Sequence, residues 1–393
     1  MHNKVVTKTF FDPALLASFA ASAPARVNLL GEHTDYTGGL VMPFAIPFIT
    51  TAHISPAPEG FHFSSDFFTG DFAFSHTDIL TPQQNWTDYP AGVLHELQLL
   101  GIYPPPFHLH LAGNVPIGAG LSSSASVEVA SCLAMLHHAG AALCGEDVAL
   151  LCRRAENTFV GSPCGIMDQF VIAAAKADHV LLLHTDDLQV EYLPLSHGAL
   201  RNSRILICNS AVKHSVATGE YGTRRTEAEQ GQAAIRKTFP NSTNLGKATV
   251  TQLDAVAATL SDQAYRRTRH ILTENARVLA AREAMLQGSP SQLGALMLDA
   301  HRSMRDDFQA SCEEIDFLVD TAAALEGCFG ARMTGGGFGG CTVNLVDAYY
   351  VDSFTTALRR AYKARYNIDA EVYFGEAVDG AMARFSKQKE ATQ

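Results

Sequence analysis

The chain has 393 residues, 47% of them apolar and 18% charged, which is more apolar material than one core usually holds and predicts two domains, excluding disorder and a small stapled scaffold. Lys+Arg 29 against Asp+Glu 40 leaves a net charge of −11 with no block of like charges, so a nucleic-acid backbone or an anionic membrane is a poor partner and neither is expected. Eight cysteines, Cys132, Cys144, Cys152, Cys164, Cys208, Cys312, Cys328 and Cys341, form no CxxC pair, which disfavours a zinc site or a disulfide framework and suits reduced core thiols in a cytoplasmic protein.

In chain order, Lys4, Lys8 and the small-residue run at 14 to 23 mimic a signal peptide. Asp12-Pro13 ahead of Leu15, Leu16 and Phe19 instead predicts a short amphipathic helix with a cap and a first-turn proline. No apolar run approaches a bilayer span, so a soluble protein is expected. Ala25 to Leu30 is extended in flavour, and GEHTDYTGG at 31 to 39 reads as a loop. An apolar stretch bent by Pro43 and Pro47 leads to strand-like alternation at Phe61, Phe63 and Phe72. A helix is expected from Trp86–Pro90 to Leu100, a half-buried strand at Phe107, Leu109 and Leu111, and a long helix of small and apolar residues from the serines to about Ala141. A helix over Glu146 to Thr158 and a strand pair around Asp186-Asp187 follow. Between Leu193 and Arg204 the apolar periodicity lapses, which places the domain boundary there. The second half opens on a strand at 204 to 209, is helix-rich from Thr223 to about Asp306 with a loop at Pro240 to Gly246, and runs through a helix at Glu313 to Gly327 into a glycine-dense turn and strand.

Four constellations carry chemistry. Gly118, Ala119, Gly120, Leu121, Ser122, Ser123 and Ser124, continuing to Ser126, lie between a strand and a helix. The glycines let backbone N–H groups turn inward, the helix offers its positive end, and the hydroxyls add donors or a metal ligand, which together make a phosphate cradle. The Walker pattern is absent and no lysine sits in the loop, so a P-loop nucleoside triphosphatase is excluded. The plainer alternative is a helix start that caps itself, though a cap needs one serine and not four. The second is RMTGGGFGGC at 332 to 341, a tight turn taken alone, but beside the first loop a clasp for a nucleotide between two domains. The third packs Arg26, Glu32, His33 and Asp35 into ten residues beside glycines. Carboxylates beside an imidazole suit a polyhydroxyl ligand, since each sugar hydroxyl both donates and accepts. A metal is the alternative, weakened by the lack of a second histidine in register. The fourth is Asp168, with Glu156 twelve residues upstream; a lone Asp is usually a cap or a surface charge.

These motifs, RVNLLGEHTDYTGG, GLSSSAS, CGIMDQ and RMTGGGFGGC, with RHILTEN at 269 to 275 and RDDF at 305 to 308, resemble the signatures of the galactokinase family, within the superfamily that also holds homoserine, mevalonate and phosphomevalonate kinases. The GEHTDY element is specific to the galactokinase branch. The resemblance covers nearly the whole chain and implies an α+β fold: two mixed α/β domains, 1–198 and 199–393, with the active site in the cleft between them. It implies ATP held with residues 118 to 124 around its phosphates and Trp86 near the adenine, although Trp86 as a core aromatic fits equally well. Ser124 and Glu156 would hold Mg²⁺, a hard ion that takes few protein oxygens. Asp168 would be the base or electrostatic anchor for the C1 hydroxyl of galactose, and Arg26 the charge spanning the transferring phosphoryl. The sugar contacts map onto Glu32, His33, Thr34, Asp35 and Tyr221. The implied partners are galactose and MgATP, in a monomer or weak oligomer.

The chain departs from the family at Ala25, Asp88, Gly219 and Gly222, where glycine, asparagine, serine and, in many bacterial members, asparagine are usual. Gly222 beside Tyr221 could loosen the sugar wall, which leaves a kinase of N-acetylgalactosamine or another galactose-like sugar as the alternative. Non-catalytic galactose sensors of the same family carry a shortened serine loop, and here residues 122 to 126 are full length.

Overall fold

The computed structural model describes residues 18–75, 79–213 and 217–392. The expected helix at Asp12 to Phe19 lies mostly outside these residues, and Phe19 itself opens a strand, β1 (Phe19–Asn28). There follow β2 (Leu40–Val41), β3 (Pro43–Pro56), β4 (Phe61–Ser65), β5 (Phe72–Phe74), α1 (Asp88–Leu99), β6 (Phe107–Gly113), α2 (Ser123–His138), α3 (Gly145–Arg154), α4 (Met167–Ala174), β7 (His179–His184) and β8 (Val190–Pro194). The rest comprises β9 (Ser203–Lys213), α5 (Ala217–Thr238), α6 (Val250–Val256), α7 (Asp262–Leu286), α8 (Pro290–Ser303), α9 (Glu313–Ala324), β10 (Cys328–Thr334), β11 (Gly339–Asp347), α10 (Val351–Tyr366), β12 (Glu371–Phe374) and α11 (Ala381–Thr392).

The strands form three sheets in the orders β1-β3-β6-β4-β5, β10-β11-β9-β12 and β2-β7-β8. Alternation does what the pleat requires. Phe107, Leu109 and Leu111 of β6 are buried while His108 is exposed, because successive side chains face opposite sides. Phe63 of β4 sits opposite Phe72 of β5. Helix α2 is buried along nearly its whole length and packs across β1 and β3; its small residues permit that close approach. An apolar cluster joins this helix and the first sheet to Ala381 and Phe385 of α11. A second cluster joins Ala25 and Val27 to Val278, Met297 and Val343, so the end of β1 is packed into the glycine-rich half of the chain. Thr334 fixes the same junction, accepting the Asn28 N–H at 3.0 Å and donating to the Asn28 carbonyl at 3.1 Å.

The helix expected over Glu146 to Thr158 ends earlier. After Arg154 the chain widens into a π-helical turn, Ala155–Val160, an insertion common at functional positions. A second such turn, Met304–Phe308, follows α8. Of the eight cysteines, Cys132, Cys152, Cys208 and Cys341 are buried, but Cys144 is exposed and Cys164 half-buried, so the expectation of core thiols holds for only part of the set. No described helix is long and apolar enough to cross a membrane.

Candidate active site

A cavity of about 560 Å³ opens where β1, the loop 31–40, the start of α4, α5 and the β10–β11 turn converge; Arg26, Glu32, His33, Asp35, Asp168 and Tyr221 line it. Arg26 stands just past a register break between Pro24 and Ala25, and Asp168 is in the first turn of α4. Arg26 Nε and Nη2 donate to the two Asp168 oxygens at 2.7 and 2.6 Å, and Nη1 donates to the Gly120 carbonyl at 2.8 Å. All three faces of the guanidinium fork are used, a geometry no ammonium reproduces. Burial lowers the Arg26 pKa, but Asp168, Glu32 and Asp35 outweigh it and the net shift is upward. Ser122, held at φ +61°, donates its hydroxyl to Asp168 Oδ2. The Asp168 side chain keeps 27% of its surface exposed toward the cavity.

The four residues of the 31–40 loop expected to meet a sugar have different fates. Glu32 is 1% exposed; its oxygens accept the Gly335 N–H at 2.8 Å and the Asn28 amide, and Arg332 lies 3.5 Å away. Burial raises its pKa against the pull of Arg332. His33 stacks on Phe308 with ring centroids 4.1 Å apart, and burial lowers its pKa to about 3, so it faces the cavity as a neutral imidazole. Asp35 packs its carboxylate over Gly165, which has no side chain to obstruct it. Burial, with Asp168 adding, raises the Asp35 pKa to about 6. Thr34 is the exception among the expected sugar contacts. Its hydroxyl donates to the Gly31 and Leu40 carbonyls at 2.8 and 2.6 Å, it is fully buried, and it does not line the cavity; it closes the loop on itself. Tyr221 is brought in by α5, its ring 5.4 Å from that of His33.

The two glycine runs meet directly. Gly118 and Gly120 adopt φ of +74° and +76°, and a Cβ on Gly335 or Gly340 would stand 3.2 Å from the Gly120 or Ala119 carbonyl oxygen. Cys341 also donates its thiol to the Ala119 carbonyl at 3.1 Å. The Leu121 carbonyl accepts the Arg26 N–H at 3.2 Å, which ties the loop to β1. Ser123 and Ser124 begin α2 and line a second cavity of about 170 Å³ with Trp86, Phe68, Tyr89 and Ile117. Trp86 stacks on Phe68 with centroids 6.0 Å apart, and its buried Nε1 has no partner. A flat apolar slot with one unused donor thus adjoins the serine loop.

Glu156, beside Ser124, has its pKa raised to about 7 by burial and by Asp168. Gln169 donates to Glu156 at 2.6 Å and to Glu128 at 3.0 Å, and the second oxygen of the fully buried Glu128 is unpartnered. These are hard oxygen donors whose charged form burial disfavours and a nearby cation would restore, which fits a small divalent ion that retains most of its water. Among the described residues no group of three or more His, Cys, Asp or Glu side chains could hold a metal ion, so the protein ligands would be few. Gln169 and Arg332 fall inside the CGIMDQ and RMTGGGFGGC motifs without a role of their own, and Glu128 lies outside every motif: each is a polar residue whose partners lie on other elements. The one available signal was that Gln169 follows Asp168 and Arg332 precedes the glycine run.

Models of the GHMP kinase N-terminal and C-terminal domains match residues 88–176 and 281–364. The mevalonate kinase of Methanococcus jannaschii shares the fold, with a TM-score of 0.67 at 17% identity over 92% of this chain and 99% of that one. The two GHMP kinase domain matches therefore set the chain among the kinases that use ATP. Within that class the galactokinase galactose-binding signature matches residues 8–56. The galactokinases of Streptomyces coelicolor and Homo sapiens are 42% and 37% identical, over 92% of this chain and 93% and 91% of their own length. The crystal structure of Lactococcus lactis galactokinase complexed with galactose has a TM-score of 0.87 at 28% identity, covering 92% of this chain and 94% of that one. The chain belongs to the galactokinase family.

Proposed function

We propose that this enzyme transfers the γ-phosphoryl group of ATP to the C1 hydroxyl of galactose, giving galactose 1-phosphate and ADP. The observation that carries the reading is the Arg26–Asp168 pair, set where the sugar loop and the two glycine loops converge. In this reading the C1 oxygen bonds to the γ-phosphorus as the bond to the β-phosphate oxygen breaks, and the hydroxyl proton passes to Asp168. Arg26 holds both Asp168 oxygens and neutralises charge on the transferring group, and Ser122 fixes the carboxylate's orientation. Such a transfer needs positioning and charge neutralisation more than covalent chemistry.

Glu32, His33, Asp35 and Tyr221 bind the sugar hydroxyls, residues 118 to 124 surround the phosphates, and the Trp86 slot takes the base. Ser124 and Glu156 would hold Mg²⁺, which would screen the phosphate charge. The lobes divide near residue 199, α11 returning to the first, in a cytoplasmic monomer or weak oligomer. Openness at Gly222, where a Cβ would have no neighbour within 4 Å, supports a second reading in which N-acetylgalactosamine or a related sugar is preferred. A coupled ADP-release assay with MgATP and galactose, N-acetylgalactosamine, galactosamine, 2-deoxygalactose, glucose or arabinose tests both. Turnover led by galactose supports the first reading and turnover led by an amino sugar the second; no turnover, in protein that binds ATP and galactose, overturns the assignment of a catalyst.

A further inference from the structure

Helix α7 carries the RHILTEN segment, and three of its side chains reach the backbone of the sugar loop. Glu274 Oε1 accepts the Gly31 N–H at 2.8 Å, Asn275 Oδ1 accepts the Leu40 N–H at 2.9 Å, and His270 Nε2 lies 3.2 Å from the Glu32 carbonyl oxygen. Gly31 and Leu40 are the two ends of that loop, so consecutive residues of one helix hold both ends. The contact is close as well as polar: Gly31 adopts φ +100°, and a Cβ on Gly39 would collide with the Asn275 side chain. Glu274 is fully buried and is itself held by Arg277 at 2.6 Å. Neither Glu274 nor Asn275 lines the cavity, so neither is a sugar contact.

A polar loop rich in glycine has many conformations to lose, and the portion not lost in folding would have to be lost on binding. We propose that Glu274 and Asn275 are positioning residues, which clamp both ends of the 31–40 loop and thereby set the affinity for galactose without touching it. The inference rests on the reading of this loop as the sugar site.

Asn275→Ala removes one acceptor from a half-buried position and leaves the Leu40 N–H unsatisfied, a loss that raises the galactose dissociation constant roughly five- to thirtyfold. In calorimetry with galactose alone and with ATP alone, the galactose constant is expected to rise and the ATP constant to hold. Asn275→Asp, which keeps the acceptor oxygen, should restore galactose binding. Glu274→Gln keeps an acceptor for Gly31 but loses the charge facing Arg277, and should weaken galactose binding in the same selective way wherever the variant folds. Asp35→Asn serves as the control on the underlying reading. If Asp35→Asn weakens galactose binding and Asn275→Ala does not, the clamp alone is overturned; if Asp35→Asn also has no effect, the loop is not the sugar site. Equal losses of galactose and ATP affinity in Asn275→Ala would make the residue a general stabiliser and overturn the proposal.

Discussion

Arg26 and Asp168 are 142 residues apart in sequence and joined by two parallel hydrogen bonds of 2.7 and 2.6 Å. The third guanidinium nitrogen is spent on Gly120 of the serine loop, so one side chain sets the distance between the Asp168 carboxylate and that loop. The pair is held entirely by the chain's own side-chain and backbone groups, which is what electrostatic preorganisation requires.

Replacing Asp168 by Asn keeps the shape of the side chain but removes the proton acceptor and the counter-charge. Turnover is expected to fall by about 10²–10⁴-fold, while galactose affinity measured by calorimetry changes far less. Arg26→Lys preserves charge but cannot span both carboxylate oxygens and Gly120 together, so turnover should fall there too. Retention of full activity in either variant would remove that residue from the mechanism.

The pH response of Asp35 has a definite sign. Its pKa is raised from 3.8 to about 6, by burial first and then by Asp168. Between these values the folded chain holds a proton that the unfolded chain has released, so this residue's contribution to stability is full below about 3.8 and is lost as pH rises through about 6. Asp35→Asn should flatten that slope, seen as a midpoint difference between variant and parent that grows with pH and levels off above about 6. Galactose affinity should follow the opposite course, rising in the parent as pH passes about 6 and the folded carboxylate ionises, and staying flat in the variant. His33, lowered to about 3, is neutral throughout this window. A parent whose affinity does not vary between pH 5 and 7.5 would show that the ionised form is not the one that binds.

Two glycines of the cavity wall should behave oppositely. A Cβ at Gly165 would run into the Asp35 carboxylate, whereas one at Gly222 would meet nothing within 4 Å. Gly165→Ala is therefore expected to displace Asp35 and sharply raise the KM for galactose. Gly222→Asn should fold normally and narrow the range of sugars accepted, because a new side chain enters open space beside Tyr221. The sugar panel run on both variants checks this; an unchanged profile for Gly222→Asn would show that position 222 does not shape the wall.

The parts of the site legible in sequence were those where local composition betrays backbone geometry. Gly118, Gly120 and the 335–340 run announce turns that only glycine adopts cheaply, and the structure packs these loops against each other. Pairing Arg26 with Asp168 needed the family resemblance, because nothing local links a strand residue to a helix start so far along the chain. Thr34 misled because a hydroxyl in a polar loop looks the same whether it faces a ligand or closes the loop's own carbonyls. The π-helical turns at Ala155–Val160 and Met304–Phe308 were hidden because one extra residue in a helix scarcely alters apolar periodicity, yet they carry Glu156 and Phe308. Phe19 looked helical beside Leu15 and Leu16 but pairs with Ile54 in the first sheet, where tertiary pairing overrides local pattern. After the glycine-dense turn and its strand the sequence carries no motif, and α10, β12 and α11 complete the fold there.

The buried pair Arg332 and Glu32 offers a test of what holds the sugar loop to the second half of the chain. Arg332 is fully buried, donates to the Leu29 carbonyl at 3.0 Å and lies 3.5 Å from Glu32. Arg332→Met fills much the same volume but leaves a buried carboxylate without its cation, a change that costs about 3–5 kcal/mol. Removing the charge at the other end should recover part of that loss, because the penalty is for an unpaired ion and not for the absence of a pair. Urea unfolding of Arg332→Met, Glu32→Gln and the double variant checks the argument. The double variant is expected to be more stable than the sum of the two single losses predicts, and strict additivity would mean that Arg332 supports the Leu29 backbone without compensating Glu32.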